Sequence, residues 1–258
     1  MVEFIDTHCH LDMARDVDAV LARARSAGVV SCLTVGTSLE SSRANVALAK
    51  RHPNLRASVG IHPHDADQAT DEIIAAVDAL AEDPHVVAIG EVGLDFFRQH
   101  ASAEGQRRTL RAFLDIAARR HLPLLLHCRD AYEELLDRLT QAGGPYHGLI
   151  HCASGPPAFI EEAIRLGFFV SFSGTVTFPN AAAVRALVPL VPDERLLIET
   201  DAPFLAPQPV RGQTNEPAYV AHTAAALAAL RGTTVEALAR LTTNNARILF
   251  KFGARHHC

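Results

Sequence analysis

Imidazoles and carboxylates recur in this 258-residue chain in short, widely separated groups that close apolar runs. The groups are Asp6-Thr7-His8-Cys9-His10, Gly60-Ile61-His62-Pro63-His64, Gly90-Glu91-Val92-Gly93, His127-Cys128-Arg129, His151-Cys152-Ala153 and Glu199-Thr200-Asp201. Residues two apart on a strand point the same way, so His8 and His10 share a face and Cys9 takes the other. Alone, such a pair is as readily a structural hydrogen-bonded feature as a pair of ligands. Repetition shifts the reading, because a buried carboxylate or imidazole is costly unless it is paired or bound to a cation. A shared divalent cation is the economical account; the alternative is a set of groups that bond one another. The chemistry such a cation offers is hydrolysis, by acidifying water and polarising the bond attacked.

Cys9, Cys128 and Cys152 each adjoin one of these histidines, and alternation turns them outward as small hydrophobes under a helix layer. The terminal His256-His257-Cys258 offers ligand types too, but reads as a frayed tail.

The elements that must position these groups alternate along the chain. Eight β-rich runs, at 4–11, 29–36, 56–62, 86–93, 124–129, 148–153, 168–174 and 196–201, are separated by segments with apolar residues every three or four positions. The helical segments are expected at 17–27, 40–51, 73–81, 104–120, 132–141, 158–166 and 181–188. After the eighth strand comes a Pro-rich loop, 202–217, in which Pro217 suits a helix start. Two helices should follow, the second capped at Thr233 with Glu236 three residues on. Eight βα units without a compositional break predict a single-domain (β/α)8 TIM barrel over residues 1–258. In such a barrel the working residues gather at the C-terminal ends of the strands, which is where these groups fall. An open doubly wound sheet is the competing architecture. No GxGxxG or GxxxxGK[ST] turn follows the first strand, so a nucleotide cofactor has no support.

Composition narrows the function classes. With 24 Lys plus Arg against 29 Asp plus Glu, the net charge is −5, and 48% of residues are apolar, which excludes disorder and a broad basic surface for duplex DNA. Five cysteines without a CxxC pair, no signal-peptide pattern and no long apolar run point to a cytoplasmic protein with reduced thiols and no membrane partner. With no Trp and three Tyr, the chain lacks an extended stacking platform for single strands.

The motifs Phe4-Ile5-Asp6-Thr7-His8-Cys9-His10-Leu11-Asp12, Gly60-Ile61-His62-Pro63-His64 and Ala88-Ile89-Gly90-Glu91-Val92-Gly93-Leu94-Asp95 resemble the TatD family of metal-dependent deoxyribonucleases. His127-Cys128-Arg129, Leu149-Ile150-His151-Cys152, Glu199-Thr200-Asp201-Ala202-Pro203 and Arg211-Gly212-Gln213-Thr214-Asn215-Glu216-Pro217 follow in the family's order, so the resemblance spans essentially the whole chain. It implies a (β/α)8 barrel of the amidohydrolase-like group with two divalent ions, Zn²⁺, Mn²⁺, Ni²⁺, Co²⁺ or Mg²⁺. His8, His10, Glu91 and Asp201 would hold one, and Glu91, His127 and His151 the other, with Glu91 as bridge. Many family members carry an aromatic after the His-Cys of the sixth strand; here Ala153 takes that place, thinning a wall that would stack on a base or sugar.

The implied activity is phosphodiester hydrolysis, trimming DNA from a strand end by a monomeric enzyme. Asp201 is the candidate for positioning the water and accepting its proton. His62 and His64 are candidates for substrate contact. His62 is either the acid for the leaving group or a phosphate contact, the alternative being to orient a ligand carboxylate. Arg129 is positioned for a phosphate oxygen or for a salt bridge to Asp95 or Glu199. Arg211 either clamps substrate or is a surface residue. Asp95 and Glu199 are expected to fix ligand histidines, with Glu199 also a candidate catalytic partner. Two other functions remain open: the same site acting on a cyclic amide, lactone or phosphotriester, and a metal-stabilised barrel that serves as a scaffold.

Overall fold

The structure is a computed structural model that describes residues 2–98, 100–143 and 146–252. The His256-His257-Cys258 reading lies outside the described residues. Eight parallel strands pair in sequence order: β1 (Phe4–Cys9), β2 (Val29–Val35), β3 (Leu55–Val59), β4 (Val86–Asp95), β5 (Leu124–Arg129), β6 (Gly148–Ile150), β7 (Phe168–Phe172) and β8 (Leu196–Ile198). The helices are α1 (Val17–Ser26), α2 (Leu39–Arg51), α3 (Asp71–Leu80), α4 (Ala103–Arg120), α5 (Tyr132–Ala142), α6 (Pro157–Arg165), α7 (Ala182–Leu187), α8 (Val220–Leu230) and α9 (Val235–Phe250).

Beyond the ladders, β1 and β8 are joined by backbone bonds from Asp201 N to His8 O (2.8 Å) and from His10 N to Ala202 O (2.7 Å). The Asp6 carboxylate strengthens this seam by accepting from Thr200 N at 2.9 Å and from the Thr200 hydroxyl. The result is the expected (β/α)8 barrel.

Two apolar layers hold it. Ile5, Leu33, Val35, Ala88, Leu125, Leu149, Phe169 and Leu197 form an inner cluster, which α9 joins through Leu249 and Phe250. The other strand faces meet the helices in a larger outer cluster that includes Cys9, Cys32 and Cys128.

Five helices begin on side-chain caps from Asp16, Ser38, Thr70, Ser102 and Thr234. The cap of α9 is therefore Thr234, whose hydroxyl accepts from Ala237 N at 3.1 Å, and not the expected Thr233 with Glu236. Of two adjacent threonines, the one with the extended backbone at the helix entry takes the role.

Several strands end earlier than expected. β3, β6 and β8 stop at Val59, Ile150 and Ile198, so His62, His151, Glu199 and Asp201 sit in the turns beyond them. The backbone leaves the ladder there through left-handed residues, Cys152 at φ 48° and Asp201 at φ 57°, a conformation that non-glycine residues hold when their surroundings demand it. β4, by contrast, continues past the expected end at residue 93 and carries Glu91 and Asp95 within the strand.

Candidate metal centre

Glu91 stands at the middle of the barrel mouth, and its two oxygens face different imidazoles. Oε2 lies 3.4 Å from His8 Nε2 and 3.9 Å from His10 Nε2. Oε1 lies 2.9 Å from His151 Nε2, 3.0 Å from His127 Nδ1 and 3.4 Å from His62 Nε2. On the first side Asp201 adds Oδ1, 3.3 Å from His10 Nε2 and 3.6 Å from His8 Nε2. All six positions named from the sequence as ligands are thus brought to one place, split by a single carboxylate.

How the strands present these residues is less simple than alternation suggests. In β5, Leu125 belongs to the inner cluster and His127 follows in phase. In β1 the inner residue is Ile5, yet His8 and His10 also reach the mouth while Cys9 faces the helices. In β4 the inner residue is Ala88 and the site residue Glu91. Both strands change phase, and both show an irregularity where it is needed, between Asp6 and Cys9 in the β1–β2 register and between Ile89 and Val92 in the β4–β5 register.

The nitrogen on the far side of each ring decides what the near nitrogen offers. His10 Nδ1 lies 3.2 Å from the Val35 carbonyl, which can only accept, so Nδ1 carries the proton and Nε2 presents a lone pair to the cluster. His127 Nε2 donates to Asp95 Oδ2 at 3.1 Å, which leaves Nδ1 as the lone pair. His151 Nδ1 faces Glu199 Oε1 at 3.4 Å and its Nε2 faces Glu91. Ring nitrogens then confront one another: His8 Nε2 is 3.3 Å from His10 Nε2, and His127 Nδ1 is 3.3 Å from His151 Nε2. The buried Nδ1 atoms of His8 and His151 have no hydrogen-bond partner. Neutral nitrogens and carboxylate oxygens aimed inward, backed by acceptors behind the rings, form a donor set that fits divalent cations.

Without a cation these groups hold protons instead. Burial would depress His10, His127 and His151, but the carboxylates around them outweigh it and raise all three above the ordinary 6.5. Burial does prevail at His8 and His62, which are lowered. Glu91 and Asp201 are held below the usual carboxylate range, burial being overcome by their imidazole neighbours. The three raised imidazoles stabilise the metal-free fold fully below pH 6.5, and that contribution fades as the pH climbs through their folded values. A cation must expel the same protons. Apparent metal affinity should therefore rise with pH through and beyond 6.5, with protons released on binding. Calorimetric titration in buffers of differing ionisation enthalpy measures this, and an affinity flat across roughly pH 6 to 8 would contradict it.

Behind the rings, Asp95 Oδ2 accepts from both His127 and His64, the latter at 3.0 Å, while Oδ1 accepts from the backbone of Phe97 and Arg98. Burial notwithstanding, these donors hold Asp95 far below its ordinary value. Glu199 accepts from Cys152 N at 2.8 Å and from the Ser171 hydroxyl. Sequence reasoning missed Asp6, whose carboxyl is pushed up to about 7 by burial and which ties His8 N to Thr200. The signal was present as a carboxylate inside an apolar strand. It also missed Asn215, whose amide holds the carbonyls of Thr200 and Phe204.

His62 differs from the four other rings. Its Nδ1 accepts the backbone N–H of His64 at 3.1 Å, so the neutral ring carries its proton on Nε2, pointing at Glu91. That atom is a donor. Arg129 pairs with neither Asp95 nor Glu199; its guanidinium lies over the Phe97 ring, 3.8 Å from the centroid. Arg211 is exposed and stacks over Phe178 at 4.3 Å, outside the cluster. Cys152 departs from the outward reading. It lies beyond β6, with Sγ 3.3 Å from Ser173 Oγ, and burial beside Glu199 pushes its thiol up to about 12.

Gly93 keeps β4 close to β5 opposite His127, at φ 150°. An added β-carbon would stand 1.9 Å from the His127 carbonyl oxygen. Gly93→Ala should cost about 1–3 kcal/mol of stability and lower bound metal by displacing His127. Thermal unfolding and elemental analysis of the variant check both.

The family described as TatD related DNase matches residues 5–251. The chain is 40% identical over 243 residues to the 3′-5′ ssDNA/RNA exonuclease TatD of Enterobacter lignolyticus, covering 92% of this chain and 94% of that one. It is also 40% identical to an uncharacterized metal-dependent hydrolase TatD of Mycobacterium tuberculosis, over 96% of this chain and 98% of the relative. The crystal structure of the TatD homolog YJJV from Escherichia coli superposes with a TM-score of 0.91 at 33% identity, covering 96% and 98% of the two chains.

Proposed function

The chain belongs to the TatD family, and from that premise we propose that it is a divalent-metal-dependent exonuclease that removes nucleotides from the 3′ ends of single-stranded DNA and RNA. The observation that carries the reading is Glu91, with one oxygen toward His8 and His10 and the other toward His127 and His151. In this reading His8, His10, Asp201 and Glu91 would hold one ion, and Glu91, His127 and His151 a second. Bound there, such ions supply Lewis-acid polarisation of the phosphoryl group and acidification of water.

The chain's own groups do the rest. Asp201, kept ionised, orients the attacking water and takes its proton. His62 presents Nε2–H to the leaving 3′ oxygen as a neutral hydrogen-bond donor to the charge that develops there, so it needs no imidazolium, and the oxygen takes its proton from solvent. Arg129 faces a phosphate oxygen, and His64 steadies the same side through Asp95. Asp95 holds His127 in the tautomer that leaves its near nitrogen free, and Glu199 stands as a charge behind His151. Arg211 acts from the loop as a clamp. Imidazoles in the donor set favour Zn²⁺, Mn²⁺, Ni²⁺ or Co²⁺ over Mg²⁺. We read residues 1–258 as one domain, monomeric, in the reducing cytoplasm, where the free thiols of Cys9, Cys32, Cys128 and Cys152 persist. Among the described residues no helix is long and apolar enough to cross a membrane.

The test combines elemental analysis with degradation of 3′- and 5′-blocked single strands in Mg²⁺, Mn²⁺ and Zn²⁺. Metal in the purified protein, release of mononucleotides from 5′-blocked strands and protection by a 3′ block are expected. Inactivity on every strand with turnover of a cyclic amide or lactone would overturn the reading.

A further inference from the structure

Among the described residues, the exposed large apolar side chains are Met13, Phe97, Phe204, Leu230 and Ile248. Leu230 and Ile248 lie on α8 and α9, whereas Met13, Phe97 and Phe204 follow β1, β4 and β8 at the end of the barrel that carries the cluster. Phe97 comes two residues after Asp95 and is 54% exposed; Phe204 comes three after Asp201 and is 50% exposed. β4 and β8 are four places apart in an eight-stranded ring, so these two aromatics rise from opposite sides of the barrel mouth. Phe204 meets the His10 ring edge-on at 5.9 Å, and Phe97 lies beneath the Arg129 guanidinium. A scattered exposed phenylalanine is ordinary. Two on opposite sides of a reaction centre, one of them holding a cation over its face, are a built arrangement.

We propose that Phe97 and Phe204 are the stacking platforms for the two bases that flank the scissile phosphodiester, with Arg129 held by Phe97 against the backbone. The inference rests on the nuclease reading and adds to it which part of the strand is gripped. Every base has a π-face, so stacking is indifferent to sequence. It requires an unpaired base, which selects single strands. It makes no use of the 2′-hydroxyl, the group that distinguishes RNA from DNA. The extended aromatic platform that the composition excludes is not needed, because two rings straddle one bond, and removal of one nucleotide at a time follows.

The test measures kcat/KM of the metal-loaded enzyme, of Phe97→Ala and of Phe204→Ala on an intact single strand and on strands with an abasic residue at the last or next-to-last position. Each alanine variant should lose about 5- to 150-fold on the intact strand, mainly through KM, with metal content unchanged and with Phe→Tyr restoring the parent's value. Each should lose nothing more on the strand that lacks the matching base, and the two variants should couple to different positions. Equal losses on intact and abasic strands would make the rings structural and overturn the proposal, as would no loss or coupling at one ring alone. A parent that degrades no single strand sinks the nuclease reading itself; a parent that does, without this coupling, sinks only the stacking.

Discussion

Glu91→Gln is expected to abolish stable metal loading and to lower strand hydrolysis by about a thousandfold or more. The carboxylate is nearly isosteric with the amide, so the change is chemical. Glutamate offers an oxygen to each histidine set, whereas glutamine offers one oxygen and one NH2 that can only donate. Whichever way the amide turns, one set meets a donor where it needs an acceptor. Glu91 is also the foremost group raising His151 against burial, so in the metal-free variant that imidazole should titrate lower than in the parent. Elemental analysis, the hydrolysis rate and NMR titration of the histidines read the three consequences. A variant that keeps its metal and its rate would remove the bridge from the account, and with it the site.

His62→Gln should leave metal content intact and slow removal of a natural nucleotide by about 10²–10³-fold, the range of a lost hydrogen-bond donor to developing charge. The discriminating substrate is the p-nitrophenyl ester of thymidine 5′-phosphate, whose leaving group departs without needing a proton. On that ester the defect should shrink to less than about tenfold. Equal defects on both substrates would make His62 a phosphate contact or a support for Glu91. Because the donor is the neutral Nε2–H, fixed by the His64 N–H on Nδ1, parental activity should not fall as the pH rises through 6.5.

Both predictions depend on features that local sequence does not display. Strict alternation along Asp6-Thr7-His8-Cys9-His10 brings His8 and His10 to one face, and the structure agrees; yet the same alternation counted from Ile5 would put them outside the barrel. The phase change lies in the pairing of β1 with β2, and a single strand cannot reveal where its neighbour slips. The same holds for Ala88 and Glu91 on β4. Arg129 pairs with neither of the carboxylates open to it and rests on Phe97, contributed by the turn after the adjacent strand. His62 lies close enough to Glu91 and His127 to share a cation with them, while the backbone N–H on its Nδ1, from His64, leaves the ring proton on Nε2.

What the sequence alone determined is the barrel and the roster of groups at its mouth. Alternating strand and helix periods are local properties, and parallel βα units offer few ways to bury both faces of each strand, so position at a strand's end already implies position at the mouth. Only the tertiary structure decided which atom of each group faces inward. The proton on a ring nitrogen is set by an acceptor behind it, Val35 for His10 and Asp95 for His127. Those partners come from other strands. Periodicity within a segment carries no record of hydrogen bonds that form only when the ring of strands closes.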